Sequence, residues 1–110
     1  MKSDAIHTFG ATATVNYMRG YPVTFNHDEQ TAFMGKVAEE VGYGIDTTIL
    51  PQMGAEDFSY MLERRPGAYI LLGNGDTAGV HHPAYDFNDA AIPYGVSLWA
   101  RIIETGMLVR

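Results

Sequence analysis

Two short clusters in this sequence could do chemistry. His81 and His82 stand side by side, just before Pro83, within the glycine-rich stretch Gly73–Phe87. Imidazole is the commonest protein ligand for a transition metal. Glu56 and Asp57 follow Gly54-Ala55, and carboxylates can ligate a metal, orient a donor or carry a proton. Local sequence does not separate a ligand at 81–82 from an ordinary pair of loop histidines. A histidine pair without a spaced partner is a weak metal signature. Nor does it separate a site role for Glu56-Asp57 from two acids that complement a helix N-terminus. A third pair, Glu39-Glu40, lies beside Val37 and Val41 in a helical pattern and reads as a solvated helix face. His7 in the polar start and His27 in a first helical turn read as surface positions. Gly73-Asn74-Gly75 has no Lys-Ser/Thr after it, which discards a nucleotide site.

The elements that must position these groups alternate. Ala11–Tyr17 puts Ala11, Ala13, Val15 and Tyr17 on one side and polar residues on the other, the period of a half-exposed strand. Arg19-Gly20-Tyr21-Pro22 breaks it. Asn26 caps a helix over His27–Val41, with Phe33, Val37 and Val41 at spacing four and Gly42 as its stop. Ile45–Leu50 is a short strand closed by Pro51. A second helix opens near Glu56, buries Phe58, Met61 and Leu62, and ends at Pro66-Gly67. Ala68–Leu72 is a continuous apolar run between turn residues and reads as a buried central strand. The long loop Gly73–Phe87 follows it, where α/β sheets carry their sites. Asn88 caps a last helix whose apolar face is Ile92, Val96, Leu98 or Trp99 and Ile102-Ile103, stopping at Gly106. Strand and helix in alternation argue for an α/β fold. The break at Pro22–Asn26 divides it. Residues 1–25 form one unit and 26–110 another. The strand in the first has no partner in the second and wants a neighbour.

Bulk numbers exclude several classes. The chain has 110 residues, a net charge of −6 and only 7 Lys and Arg, which are scattered. No basic stripe exists, so no nucleic-acid partner is expected. No apolar run can span a bilayer, so none with a membrane is expected either. With 0 Cys, disulfides and thiolate metal sites are ruled out. Met1–Gly10 is polar and lacks the apolar core of a signal peptide. Both features fit a cytoplasmic protein.

An ordered series of motifs is more specific than any of these. Met53-Gly54-Ala55-Glu56-Asp57-Phe58-Ser59-Tyr60-Met61 is followed by Arg65-Pro66-Gly67-Ala68-Tyr69 and Leu72-Gly73-Asn74-Gly75. Then come Val80-His81-His82-Pro83-Ala84-Tyr85-Asp86-Phe87-Asn88-Asp89 and Ile92-Pro93-Tyr94-Gly95. The series closely resembles the C-terminal part of the aminoacylase-like metallopeptidases. Its best match is the branch of hippurate hydrolases, N-acyl-amino-acid amidohydrolases and indole-acetyl-amino-acid hydrolases. The resemblance covers Ala11 to Gly106.

That resemblance implies a catalytic α/β domain of zinc-peptidase type with an inserted lid or dimerisation domain. Residues 1–25 would then hold the tail and last strand of the lid, and 26–110 the C-terminal part of the catalytic domain. It implies cleavage of the amide of N-acyl amino acids by two divalent metals, with Zn, Mn, Co and Ni all open. His81 matches the family's last metal ligand, a His in a His-x-Pro setting. Glu56 and Asp57, in a Gly-x-Glu-Asp-Phe motif with Ala55 where Gly is usual, would line or brace the site, and His82, where related enzymes usually have a small or amide residue, would lie behind it or be exposed. The family's His-x-Asp motif, its Glu-Glu pair and its other ligands have no counterpart here. The chain alone should therefore be inactive, and it should self-associate, as a homo-oligomer or otherwise, to cover apolar surface. Two other readings stand beside this one. One is a free-standing interaction or dimerisation module, or the relic of a decayed gene. The other is a small-molecule binder built on the Gly73–Phe87 loop.

Overall fold

The computed structural model describes residues 14–42 and 44–107. Three helices occur among them. Helix α1 spans Asp28–Glu40, α2 is a single turn at Ser59–Leu62, and α3 spans Ile92–Gly106. A 3₁₀ turn, Asp89–Ala91, leads directly into α3.

Helix α1 forms where the spacing of Phe33, Val37 and Val41 places it. Asp28 and Glu29 sit in its first turn, where the exposed N–H groups favour negative charge. Its end is set by Gly42, whose φ of 83° only a residue without Cβ adopts freely, and whose N–H bonds Glu39 O at 3.0 Å. Asn88 opens the last helical segment as expected. Its Oδ1 accepts from Ala90 N at 3.0 Å and its carbonyl from Ala91 N at 2.8 Å. Helix α3 packs on α1. Val37, 1% exposed, and Leu98, 7% exposed, belong to the small core. The helices are close at the end of α3, where a Cβ on Gly106 would stand 3.2 Å from Phe33 Cζ. Arg101 reaches back from α3 to Glu40, with Nη2 and Nε at 2.9 and 3.0 Å from the same Oε2. So Glu40, read as simply solvated, ties the two helices together. The pair is partly exposed, so solvent screens it and it adds little to stability.

Three expectations fail, for one physical reason. No strand exists among the described residues. The segments read as strands, Ile45–Leu50, Ala68–Leu72 and the described part of Ala11–Tyr17, run without ladder partners. Residues 11–13 of the last lie outside the described residues, as does His7. Ala68–Leu72 is not buried. Leu71 is 69% exposed. An apolar run becomes a central strand only when strands flank it and layers cover both faces. The apolar stripe of α3 is likewise open, with Trp99 63% exposed alongside Ile92, Val96 and Ile103. The second helix is also shorter than its sequence pattern.

The global dimensions agree. The radius of gyration is 20.4 Å, against about 13 Å for a compact domain of this length. The accessible surface is 10106 Å², about two-thirds more than a closed domain of this mass would expose. No helix among the described residues is long and apolar enough to cross a membrane.

In place of a ladder, side chains bridge distant backbone. Asn26 Nδ2 donates to Tyr69 O at 2.8 Å, and its Oδ1 accepts from Tyr69 N at 2.7 Å. One residue on, His27 N donates to Gly67 O at 3.0 Å, while His27 Nδ1 accepts from Gly67 N at 3.2 Å. Asn26 is therefore not the cap of α1. Its amide presents a donor and an acceptor side by side, as a neighbouring strand would. His27 is part-buried in this clasp and is not a surface histidine.

Because so few residues are buried, single apolar contacts decide whether the helices hold. Leu98→Ala removes about 2–5 kcal/mol and is expected to strip most of the helical circular-dichroism signal at 25 °C. Arg101→Ala should leave it nearly unchanged. Equal losses for the two would show that the ion pair matters as much as the apolar contact in joining α1 to α3.

Candidate functional site

The stretch carrying both histidines is a closed loop. Asn74 makes its neck. Asn74 Nδ2 donates to Asp86 O at 2.8 Å, and Asn74 Oδ1 accepts from Asn88 N at 2.8 Å across 14 positions. Thr77 Oγ1 adds a longer bond to Asp86 O at 3.3 Å. A loop whose ends meet in this way is a compact surface unit of the kind that often carries function. The length-dependent cost of closing it is about 2 kcal/mol. Each neck bond returns about 0.5–1.5 kcal/mol, so the two from Asn74 are of the same size as the cost they offset.

Within the loop, His82 is an internal brace. Its N donates to Gly79 O at 3.1 Å, its carbonyl accepts from Tyr85 N at 2.9 Å, and its Nδ1 accepts from Ala84 N at 3.0 Å. That last bond places the proton of a neutral ring on Nε2. His81 is different. It is exposed and takes no hydrogen bond among the described residues. Its φ is 71°, the one positive φ of a non-glycine residue among those described. Such a conformation costs energy and persists only where the surroundings impose it. The two neighbours thus divide roles, with His82 holding the turn and the ring of His81 unclaimed.

Glu56 and Asp57 sit in the turn that opens α2. Glu56 Oε1 accepts from Phe58 N at 3.1 Å, and Glu56 O accepts from the fully buried Ser59 hydroxyl at 2.7 Å. The Phe58 amide, first, and then the Tyr69 hydroxyl hold the Glu56 carboxyl below the usual range. Glu56 in turn pushes the Tyr69 phenol above its ordinary value. The Tyr69 ring also meets that of Phe58, centroids 5.6 Å apart. Glu56 is therefore a brace between the α2 turn and the segment that the Asn26 clasp grips. Asp57 is exposed on the same turn.

No hydrogen bond or ion pair joins the acidic turn to either histidine among the described residues, and no group of three His, Cys, Asp or Glu stands close enough there to hold a metal ion. A catalytic metal needs about three protein ligands. The described donors therefore do not fit a complete metal site, and no catalytic step can be derived from them. Sequence reasoning gave Asn74 and Tyr69 no role in the site and gave Asn26 a different one, as a helix cap. The signal for Asn74 was present, since an asparagine between two glycines at the mouth of a long loop favours a side-chain-to-backbone tie. Asn26 and Tyr69 are 43 positions apart and carried no such signal.

The Glu56 contacts have a pH signature. A lowered folded pKa means that their contribution is present above the unfolded value and fades as pH falls through the folded one. The Phe58 amide resonance is expected to titrate with a midpoint below 4.5, the ordinary glutamate value, and Glu56→Gln should abolish that step. A midpoint at or above 4.5 would show that the carboxylate does not hold the turn.

Residues 4–105 match the peptidase family M20/M25/M40. The chain is 34% identical over 101 residues to a probable hydrolase of Synechocystis sp., covering 86% of this chain and 26% of that protein. It is 35% identical over 106 residues to an IAA-amino acid hydrolase of Arabidopsis thaliana, covering 90% and 24%. It is 33% identical over 84 residues to the hippurate hydrolase of Campylobacter jejuni, covering 74% and 22%. No solved structure gives a significant match. The chain spans about a quarter of the length of these curated relatives, corresponding to their C-terminal portion. The chain belongs to the peptidase family M20/M25/M40.

Proposed function

We propose that this chain is the C-terminal part of a metal-dependent amidohydrolase that cleaves the amide bond of N-acyl amino acids of the hippurate type. The observation that carries the reading is the loop at 74–88. His81, which the family resemblance matches to the last metal ligand, has a left-handed backbone and a ring that takes no hydrogen bond among the described residues, on a neck closed by side chains. Structural scaffolding accounts for His82 and Glu56. It does not account for His81, and an exposed residue in a costly conformation suggests a role outside the fold.

Enzymes of this family generally use divalent metals. In this reading His81 would supply one ligand, and the remaining donors would come from the rest of the longer protein. Asp57 would face the site from the α2 turn, with Glu56 behind it fixing the turn. Residues 1–25 would end a lid or dimerisation domain, and 26–110 would enter an α/β catalytic domain. There the 68–72 segment would gain strand neighbours and α3 would bury its stripe of Ile92, Val96, Trp99 and Ile103.

The test is hydrolysis of a panel of N-acyl amino acids by the 110-residue chain and by the longer protein that contains it. The longer protein should turn over hippurate-like substrates, lose activity to a chelator and regain it with added divalent metal. The isolated chain should show no turnover under any metal. Activity in the isolated chain, or chelator-resistant activity in the longer protein, would overturn the reading. Exposed apolar surface on this scale also promotes association. The isolated chain should therefore show a mass that rises with concentration in sedimentation, and a strictly monomeric species would contradict that.

A further inference from the structure

The neck of the histidine loop suggests a residue that acts at a distance. Among the described residues, His81 makes none of the hydrogen bonds that fix its own conformation. The loop is held inside by His82, through Gly79 O, Ala84 N and Tyr85 N, and at its base by Asn74, through Asp86 O and Asn88 N. Asn88 belongs to both systems. Its backbone N–H goes to Asn74, while its side chain and carbonyl start the turn into α3. The Asn74 amide thus fastens the mouth of the loop to the 3₁₀ turn that leads into α3. Alanine at 74 would leave Thr77 Oγ1 as the one side chain reaching Asp86 O, and would leave Asn88 N without its acceptor.

We propose that Asn74 is a positioning residue for His81, latching the 74–88 loop to the start of α3 so that the left-handed backbone at His81, and with it the direction of the imidazole, is fixed before any ligand arrives. This rests on the reading of His81 as the functional histidine. The mechanism is pre-organisation. A group displaced by about 1 Å loses most of its contribution to a site, and supports behind a ligand are typically worth 10–100-fold in activity or affinity.

Two measurements test it separately from that reading. The first is amide hydrogen exchange in the 110-residue chain, with circular dichroism confirming unchanged helix content. In Asn74→Ala the amides of Asn88, His82, Ala84 and Tyr85 should all exchange faster, because neck and tip open as one unit. Faster exchange at Asn88 alone would mean that the tip holds itself, and would overturn the proposal. The second is kinetics in the longer protein. Asn74→Ala should lower kcat by about 10–100-fold with KM little changed and the melting temperature retained. Asn74→Asp keeps the acceptor for Asn88 N and should fall between. A loss that only tracks the folded fraction, or no loss, would reduce Asn74 to a structural role. His81→Ala in the same protein isolates the underlying reading. If His81→Ala remains active, the functional assignment of His81 falls, whatever the exchange data show.

Discussion

Three asparagine side chains hold together what a β-ladder would otherwise hold. Among the described residues the long non-helical segments have no ladder, yet their backbone groups still need partners. Asn26 supplies them to Tyr69, Asn74 to Asp86 and Asn88, and Asn88 to Ala90. A carboxamide carries one acceptor and two donors on a short stem. It can therefore match a peptide group edge on, which neither a hydroxyl nor a carboxylate can do alone. The Asn26 clasp aligns the segment that bears Tyr69. Tyr69 then meets Glu56 and Phe58, and so orients the acidic turn. The Asn74 neck fixes the histidine loop. Both candidate site segments are thus placed by polar ties, while the apolar contacts serve mainly to pair α1 with α3.

That arrangement explains the unusual surface. A closed domain positions its site by burying the elements beneath it. Here Leu71, Trp99 and Val96 face outward, and the chain matches about a quarter of the length of its relatives. In the proposed reading these exposed residues are the inner faces of layers completed by the rest of the protein. In that same reading the rest of the protein would also supply metal donors, since the described residues offer one imidazole without a hydrogen bond and a carboxylate turn that no bond connects to it.

How much was legible in the sequence depended on the range of the interactions. Helices α1 and α3 were readable because their signals are local. Spacing-four apolar residues, Gly42 as stop and Asn88 as opener all act within a few positions. Asn26 was misread for the same reason. It is a good helix cap by type, but the competing partner lies 43 positions away and outbids the adjacent N–H groups. His27 went astray with it. The strand signals at 45–50 and 68–72, short apolar stretches bounded by turn residues, are real as patterns, but a strand is a property of two segments and the pattern reports only one. The family motifs raised His81 as an expected ligand where its local context was ambiguous. They could not show that His82 would be the brace, which follows from the hydrogen bond to Ala84 N.

The central claim is that His81 is held out of the fold to bind a metal. The measurement closest to it is the metal content of the longer protein, purified as wild type and as His81→Ala, alongside His82→Ala as a control for damage to the loop. The account predicts that His81→Ala loses bound divalent metal while helix content and melting temperature are kept. It predicts that His82→Ala loosens the loop and lowers metal content less. Full metal occupancy in His81→Ala would contradict the account and return His81 to the status of an exposed loop residue.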